Sequence, residues 1–144
     1  MTNPDTADLL EQCTVGSRKA VEKIDGMLPH VRDRKLGQFL TQNRKQHHQL
    51  EAQLVRQLAA AGRTAPDPSP MAQLISRAQM GVRMALDPTD HQAASILLDG
   101  CNTEVKVITE RMNRCQSAEP KARQAAQQLV QVEEQMAQGL RAFL

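Results

Sequence analysis

The sequence predicts an all-α fold in which four long helices form one bundle and a fifth helix lies in a long crossover. Three observations predict it. Helix-forming Ala, Gln, Leu, Arg and Met dominate the 144 residues. Aromatic residues, which favour strands, are reduced to Phe39 and Phe143. Apolar residues recur three and four positions apart in long stretches that Gly and Pro interrupt.

The first two helices are predicted to be joined by a short break. Asp5 or Thr6 can cap a helix that runs to about Leu28, where Gly26 and Pro29 interrupt it. The inward positions of this helix are Leu10, Cys13, Ser17, Ala20, Ile24 and Met27.

The second helix is predicted from about Val31 to Ala61, and Gly62 is placed to end it in a left-handed conformation. At 1.5 Å per residue, this helix is roughly 45 Å long. Its inward positions are Leu36, Leu40, Asn43, His47, Leu50, Leu54 and Leu58.

The crossover begins with a Pro-rich connection, residues 62–70, and continues as an apolar helix from Met71 to Leu86. A further helix starts at Thr89 or Asp90 and runs to about Cys115. Its inward positions are Ala94, Leu98, Cys101, Val105, Ile108 and Met112.

The last helix is predicted from Lys121 to Phe143, with Ala126, Leu129, Glu133, Met136, Leu140 and Phe143 facing inward. Short links join the first long helix to the second and the third to the fourth, whereas nearly thirty residues separate the two pairs. Residues 1–144 are therefore predicted to form a single domain of two antiparallel hairpins joined by a long crossover.

Composition excludes several classes of function. A net charge of +2 and the lack of stacking aromatics argue against a nucleic-acid partner. No apolar run is long enough for a membrane span, and the first residues do not resemble a signal peptide, so a cytoplasmic location is expected. Cys13, Cys101 and Cys115 form no CxxC pair, which argues against a disulfide framework or a structural zinc site.

Three stretches carry a resemblance to a known family: Phe39–Leu54 (FLTQNRKQHHQLEAQL), Gln73–Leu86 (QLISRAQMGVRMAL) and Asp87–Gly100 (DPTDHQAASILLDG). The chain resembles a bacterial family of ferritin-like, rubrerythrin-related four-helix-bundle domains of unknown function. The three stretches are similar to the family's second helix, its apolar connecting helix, and the acidic break that precedes its third bundle helix. The resemblance implies a ferritin-like four-helix bundle.

The chain departs from that family at the bundle centre. Where the family tends to carry Glu, this chain has Asn43 and Cys101. Both changes remove a carboxylate, and no Glu-x-x-His motif of the kind that holds two irons is present. The metal ligands that the resemblance implies are therefore largely lost, and no cofactor is predicted.

A polar layer is predicted at the centre of the core, formed by Asn43, His47, Cys101 and Glu133. The simplest interpretation is a core histidine hydrogen-bonded to Asn43 or Glu133. His47, Glu133 and Cys101 are also weak candidates for iron or zinc ligands, and Cys101 beside His47 is a weak candidate nucleophile. An equally good register of the last helix turns Val132 inward and Glu133 outward.

The connecting helix has more apolar residues than one buried stripe requires. Leu74, Ala78, Val82 and Ala85 suffice to face the bundle. Ile75, Met80, Met84 and Leu86 are therefore predicted to lie partly outside that stripe, and Met80 and Met84 are predicted to form an interface in a homo-oligomer or with a protein partner.

Two functions follow. The favoured one is a non-catalytic helical bundle that acts by binding itself or a protein partner. The alternative is a metal-binding or redox-active ferritin-like protein with an Asn/His/Cys/Glu centre. The sequence favours a binding role over an enzyme because no catalytic constellation is evident.

Overall fold

The computed structural model describes residues 3–144, and all its regular elements are helical, so the all-α prediction is confirmed. The five α-helices are α1 (Pro4–Met27), α2 (Arg34–Ala60), α3 (Pro70–Leu86), α4 (Asp90–Arg114) and α5 (Pro120–Leu140). Short 3-10 turns follow α1, at Leu28–His30, and α5, at Arg141–Phe143. In the part of the chain described, no helix is long and apolar enough to cross a membrane.

The helix ends follow from local chemistry. Asn3, rather than Asp5 or Thr6, caps α1, because its side-chain oxygen accepts from the Thr6 amide at 2.8 Å. Asp33 caps α2, which begins three residues later than predicted because the 3-10 turn takes up part of the link. Gly62 ends α2 with φ of +81°, as predicted, and this conformation strongly favours glycine.

Contacts between helices show how the four long ones lie together. Arg18 on α1 pairs with Glu51 on α2, and Arg63, three residues beyond the end of α2, pairs with Asp8 and Glu11 on α1. Residue numbers therefore rise along α1 as they fall along α2. The same opposed order relates α1 to α4, where Arg111 donates to Gln12 near one end and Lys23 lies beside Gly100 near the other.

The apolar core is divided into two clusters. One contains Leu9, Leu54 and Ile108. The other contains Ile24, Leu40 and Leu140. Buried polar side chains occupy the level between them, near the middle of each long helix: Thr14, Ser17, Asn43, His47, Glu104 and Glu133. We call this set, together with Cys101, the polar layer.

Candidate functional site

His47 and Glu133 form the centre of the polar layer. His47 has no exposed surface and Glu133 is 3% exposed, and His47 Nε2 lies 2.6 Å from Glu133 Oε1. The last helix therefore has the register that turns Glu133 inward, while Val132 is only partly buried. Four predicted members of the layer, Asn43, His47, Cys101 and Glu133, are all buried.

The hydrogen bonds of His47 determine how many protons this pair holds. Its Nδ1 lies 2.8 Å from the main-chain oxygen of Asn43, which only accepts, so Nδ1 must donate. A hydrogen bond between Nε2 and Glu133 then requires a second proton between these two atoms. With that proton, the imidazole and the carboxyl group together carry no net charge. Burial opposes a charged imidazole, but the hydrogen bond and charge of Glu133 outweigh it and raise the pKa of His47.

His47 is hydrogen-bonded to both of the predicted partners, Asn43 and Glu133, but Asn43 contributes through its main chain. Its side-chain nitrogen donates to the main-chain oxygen of Phe39 at 2.9 Å, and only its own main-chain oxygen reaches His47. Replacing both Asn43 and His47 by Leu would therefore leave Glu133 buried without its partner. Such a double variant is expected to be less stable than the wild type.

Glu104 of α4 is a member of the layer that the sequence pattern missed. It is 8% exposed, and its Oε1 has no hydrogen-bond partner among the described residues. A Cβ atom placed on Gly16 of α1 would collide with this carboxylate, so the absence of a side chain there makes room for it. Burial first, and then the charge of Glu133, raise the pKa of Glu104.

Spacing by three and four fits α4 equally well through Leu98 and Val105 or through Leu97 and Glu104. Because the first pair is wholly apolar, the pattern predicts that Leu98 and Val105 are the buried ones. The structure buries Leu97 and Glu104 and leaves Leu98 and Val105 only partly buried. One available signal was that Glu104 stands three residues after Cys101, on the same helix face.

Cys101 is buried at the edge of the layer, 3% exposed. Burial and then the nearby charge of Glu133 strongly raise the pKa of its thiol. The protonated thiol is the weakly nucleophilic form, so the arrangement does not activate Cys101. Burial likewise raises the pKa of Cys13 to about 12.

A small cavity of about 20 Å³ adjoins the layer, lined by Gly16, Lys23, Cys101, Glu104 and Glu133 among others. This volume suits a single water molecule and is far below that of pockets for organic ligands. Across residues 3–144, no three His, Cys, Asp or Glu side chains are arranged as a group that could hold a metal ion.

The outward face of α3 differs from the one predicted. Met80 and Met84 are 9% and 1% exposed and pack into the second apolar cluster, so the prediction that they face away from the bundle is wrong. Leu74 and Val82, assigned to the bundle side, are 66% and 60% exposed. Apolar residues lie all round α3, and their spacing therefore could not decide which stripe is buried.

Five large apolar side chains on α3 are at least half exposed. They are Met71, Leu74, Ile75, Val82 and Leu86. They lie on one 17-residue helix that touches the bundle mainly through Met80 and Met84. We call these five residues the outer face of α3.

Comparison with protein-family models, curated proteins and solved structures finds no match to this chain.

Proposed function

We propose that this protein is a non-catalytic helical bundle that acts by self-association through the outer face of α3. The observation that carries the proposal is the exposure of five large apolar side chains on one short helix. Contiguous apolar patches on a soluble surface mark interfaces, because leaving them in water costs free energy. In a twofold dimer the same patch would be covered on both copies at once.

A ferritin-like arrangement is the second part of the proposal. It is supported by the opposed order of contacts between α1 and α2, and by the contact of His47 on α2 with Glu133 on α5. Short links join α1 to α2 and α4 to α5, whereas the stretch containing α3 is long. Two hairpins joined by a crossover give this pattern.

The polar layer supports a structural role for the bundle centre. The His47 and Glu133 side chains satisfy each other, the thiol of Cys101 is held protonated, and the adjoining cavity has no room for an organic substrate. In this proposal the layer fixes the register of the helices, since its polar groups meet in only one alignment. The assembly surface lies elsewhere, on α3.

The test combines light scattering with a matched pair of variants. At tens of micromolar, the wild type is expected to scatter as a dimer, and Leu74→Glu with Val82→Glu is expected to scatter as a monomer with unchanged helicity. Both side chains are mostly exposed, so the charges should not disturb the bundle. The control, Gln46→Glu with Gln49→Glu, places the same two charges at exposed polar positions of α2 and should remain dimeric. A monomeric wild type would overturn the proposal.

Metal or redox activity is the second candidate function. One observation favours it: the unpartnered Oε1 of Glu104 lies in the same layer as His47 and Glu133. Carboxylate and imidazole groups are ligands for iron and zinc. Elemental analysis after loading with either metal separates the two functions, since a binding site would retain a stoichiometric ion that His47→Ala releases.

A further inference from the structure

A groove separates α1 from the first three turns of α3. Its volume is about 470 Å³, within the range of small-molecule pockets, and most of its surface is apolar. The α1 wall runs from Val15 to Gly26, and the α3 wall runs from Ser69 to Met80. Each wall spans eleven residue steps, or roughly 16 Å of helix.

One contact at each end of the groove connects α1 to the crossover or to α3. At one end Arg18 donates to the main-chain oxygen of Pro66, which ties the crossover to α1. At the other end Met80 Sδ lies 3.3 Å from where a Cβ on Gly26 would be. Between these ends α3 presents small or polar side chains, Ala72 and Ser76, which leave the space unfilled.

The charges along the groove are uneven. Four basic residues line it, Arg18, Lys19, Lys23 and Arg77, against two acidic ones, Glu22 and Asp67. Arg18 is engaged with Glu51. Within residues 3–144, Lys19, Lys23 and Arg77 form no ion pair.

Lys19 and Lys23 stand one helical turn apart, so their ammonium groups share one side of α1. Both also line the small cavity beside Glu104. Burial and Glu133 raise the pKa of Glu104, whereas the charges of Lys19 and Lys23 lower it. Within residues 3–144 the two lysines form no ion pair, and they line one side of the apolar groove.

We propose that this groove binds an aliphatic carboxylate, with the carboxylate between Lys19 and Lys23 and the alkyl chain along the apolar wall. An apolar trough with two cations on one side matches a ligand that has an apolar body and one anionic end. A cationic amphiphile matches the trough but not the lysines. The outer face of α3 is on the opposite side of that helix, so this site does not depend on the dimer.

The test is calorimetric titration of the full-length protein with dodecanoate below its micelle concentration. One dodecanoate per chain is expected, and dodecyltrimethylammonium should not bind. Lys19→Gln with Lys23→Gln should weaken binding by about tenfold or more, because two charge-assisted contacts are lost. The matched control, Lys45→Gln with Lys121→Gln, removes the same charge from exposed positions outside the groove and should bind like the wild type.

A second variant tests the groove without altering charge. Ser76→Trp fills the trough and should abolish binding, whereas Gln79→Trp, an exposed position outside the groove lining, should not. Absence of dodecanoate binding, equal binding of the cationic amphiphile, or unchanged affinity in the lysine variant would each overturn the proposal. So would a wild-type dimer that Ser76→Trp dissociates, since the groove would then hold a second copy.

Discussion

Replacing Glu104 by Met is expected to stabilise the protein. Glu104 is 8% exposed, and its Oε1 has no hydrogen-bond partner within residues 3–144. Met has a similar length and no branching, so it can follow the same path past Gly16. The substitution removes a buried polar group that the fold does not satisfy.

The magnitude follows from two contributions. An unsatisfied buried polar group costs about 1–3 kcal/mol, and this cost disappears in the variant. Apolar burial of the new side chain adds to the gain, while overpacking against Gly16 subtracts about 1–3 kcal/mol if the thioether does not fit. We expect the free energy of unfolding at pH 7 to rise by about 1–2 kcal/mol.

The pH dependence gives an independent signature. The pKa of Glu104 is raised in the fold, so between the unfolded and folded pKa values the native state holds more protons. The stability of the wild type should therefore fall as pH rises from the ordinary carboxyl value of 4.5 through the folded pKa. The stability of Glu104→Met should not decrease over this range. Its stability should still decrease as pH rises above 6.5, because the pKa of His47 is raised in the fold.

Urea denaturation of the wild type, Glu104→Met and Glu110→Met between pH 4 and pH 8 measures these effects. Glu110 is an exposed carboxylate on the same helix, so its replacement should change stability by less than about 0.5 kcal/mol. If Glu104→Met were less stable than the wild type while Glu110→Met were neutral, Glu104 would have a favourable partner, and the reasoning would fail.

Three further outcomes follow from the same geometry. His47→Leu should lower the free energy of unfolding by about 3–5 kcal/mol, because it leaves Glu133 buried without a partner. Adding Glu133→Leu should recover most of that loss, and no recovery would contradict a coupled pair. Elemental analysis of purified protein should find no stoichiometric pair of irons, and two irons per chain with bridged-iron absorption that is lost in His47→Ala would refute this. Met84→Ala should loosen α3, so that trypsin cleaves faster after Arg77 than in Met71→Ala; equal rates would show that Met84 does not anchor this helix.

Much of the fold could be predicted from the sequence because helix periodicity and chain breaks are local signals. Gly62 marked the end of α2 correctly, since a positive φ strongly favours glycine. The polar layer was also accessible, because Asn43 and His47 stand where a run of Leu residues defines the inward face of α2. These signals lie within single helices.

The errors concern helices whose pattern allows two faces. On α3, Met80 and Val82 are both apolar, and only contact with the other helices decides that Met80 is buried. On α4, the periodicity predicts Leu98 and Val105 inside and passes over Glu104, because a charged residue is rarely buried, yet the gap at Gly16 on another helix accommodates it. Such choices depend on the partner surface, which sequence periodicity does not contain.

Self-association through α3 is tested most directly by hydrogen exchange at several protein concentrations. The backbone amides of α3 after Pro70 should exchange more slowly as concentration rises through the dimerisation range, while those of α2 should be unaffected. This result would place the interface on the outer face of α3 without any substitution. A dimer by light scattering whose α3 amides show no dependence on concentration would contradict the account.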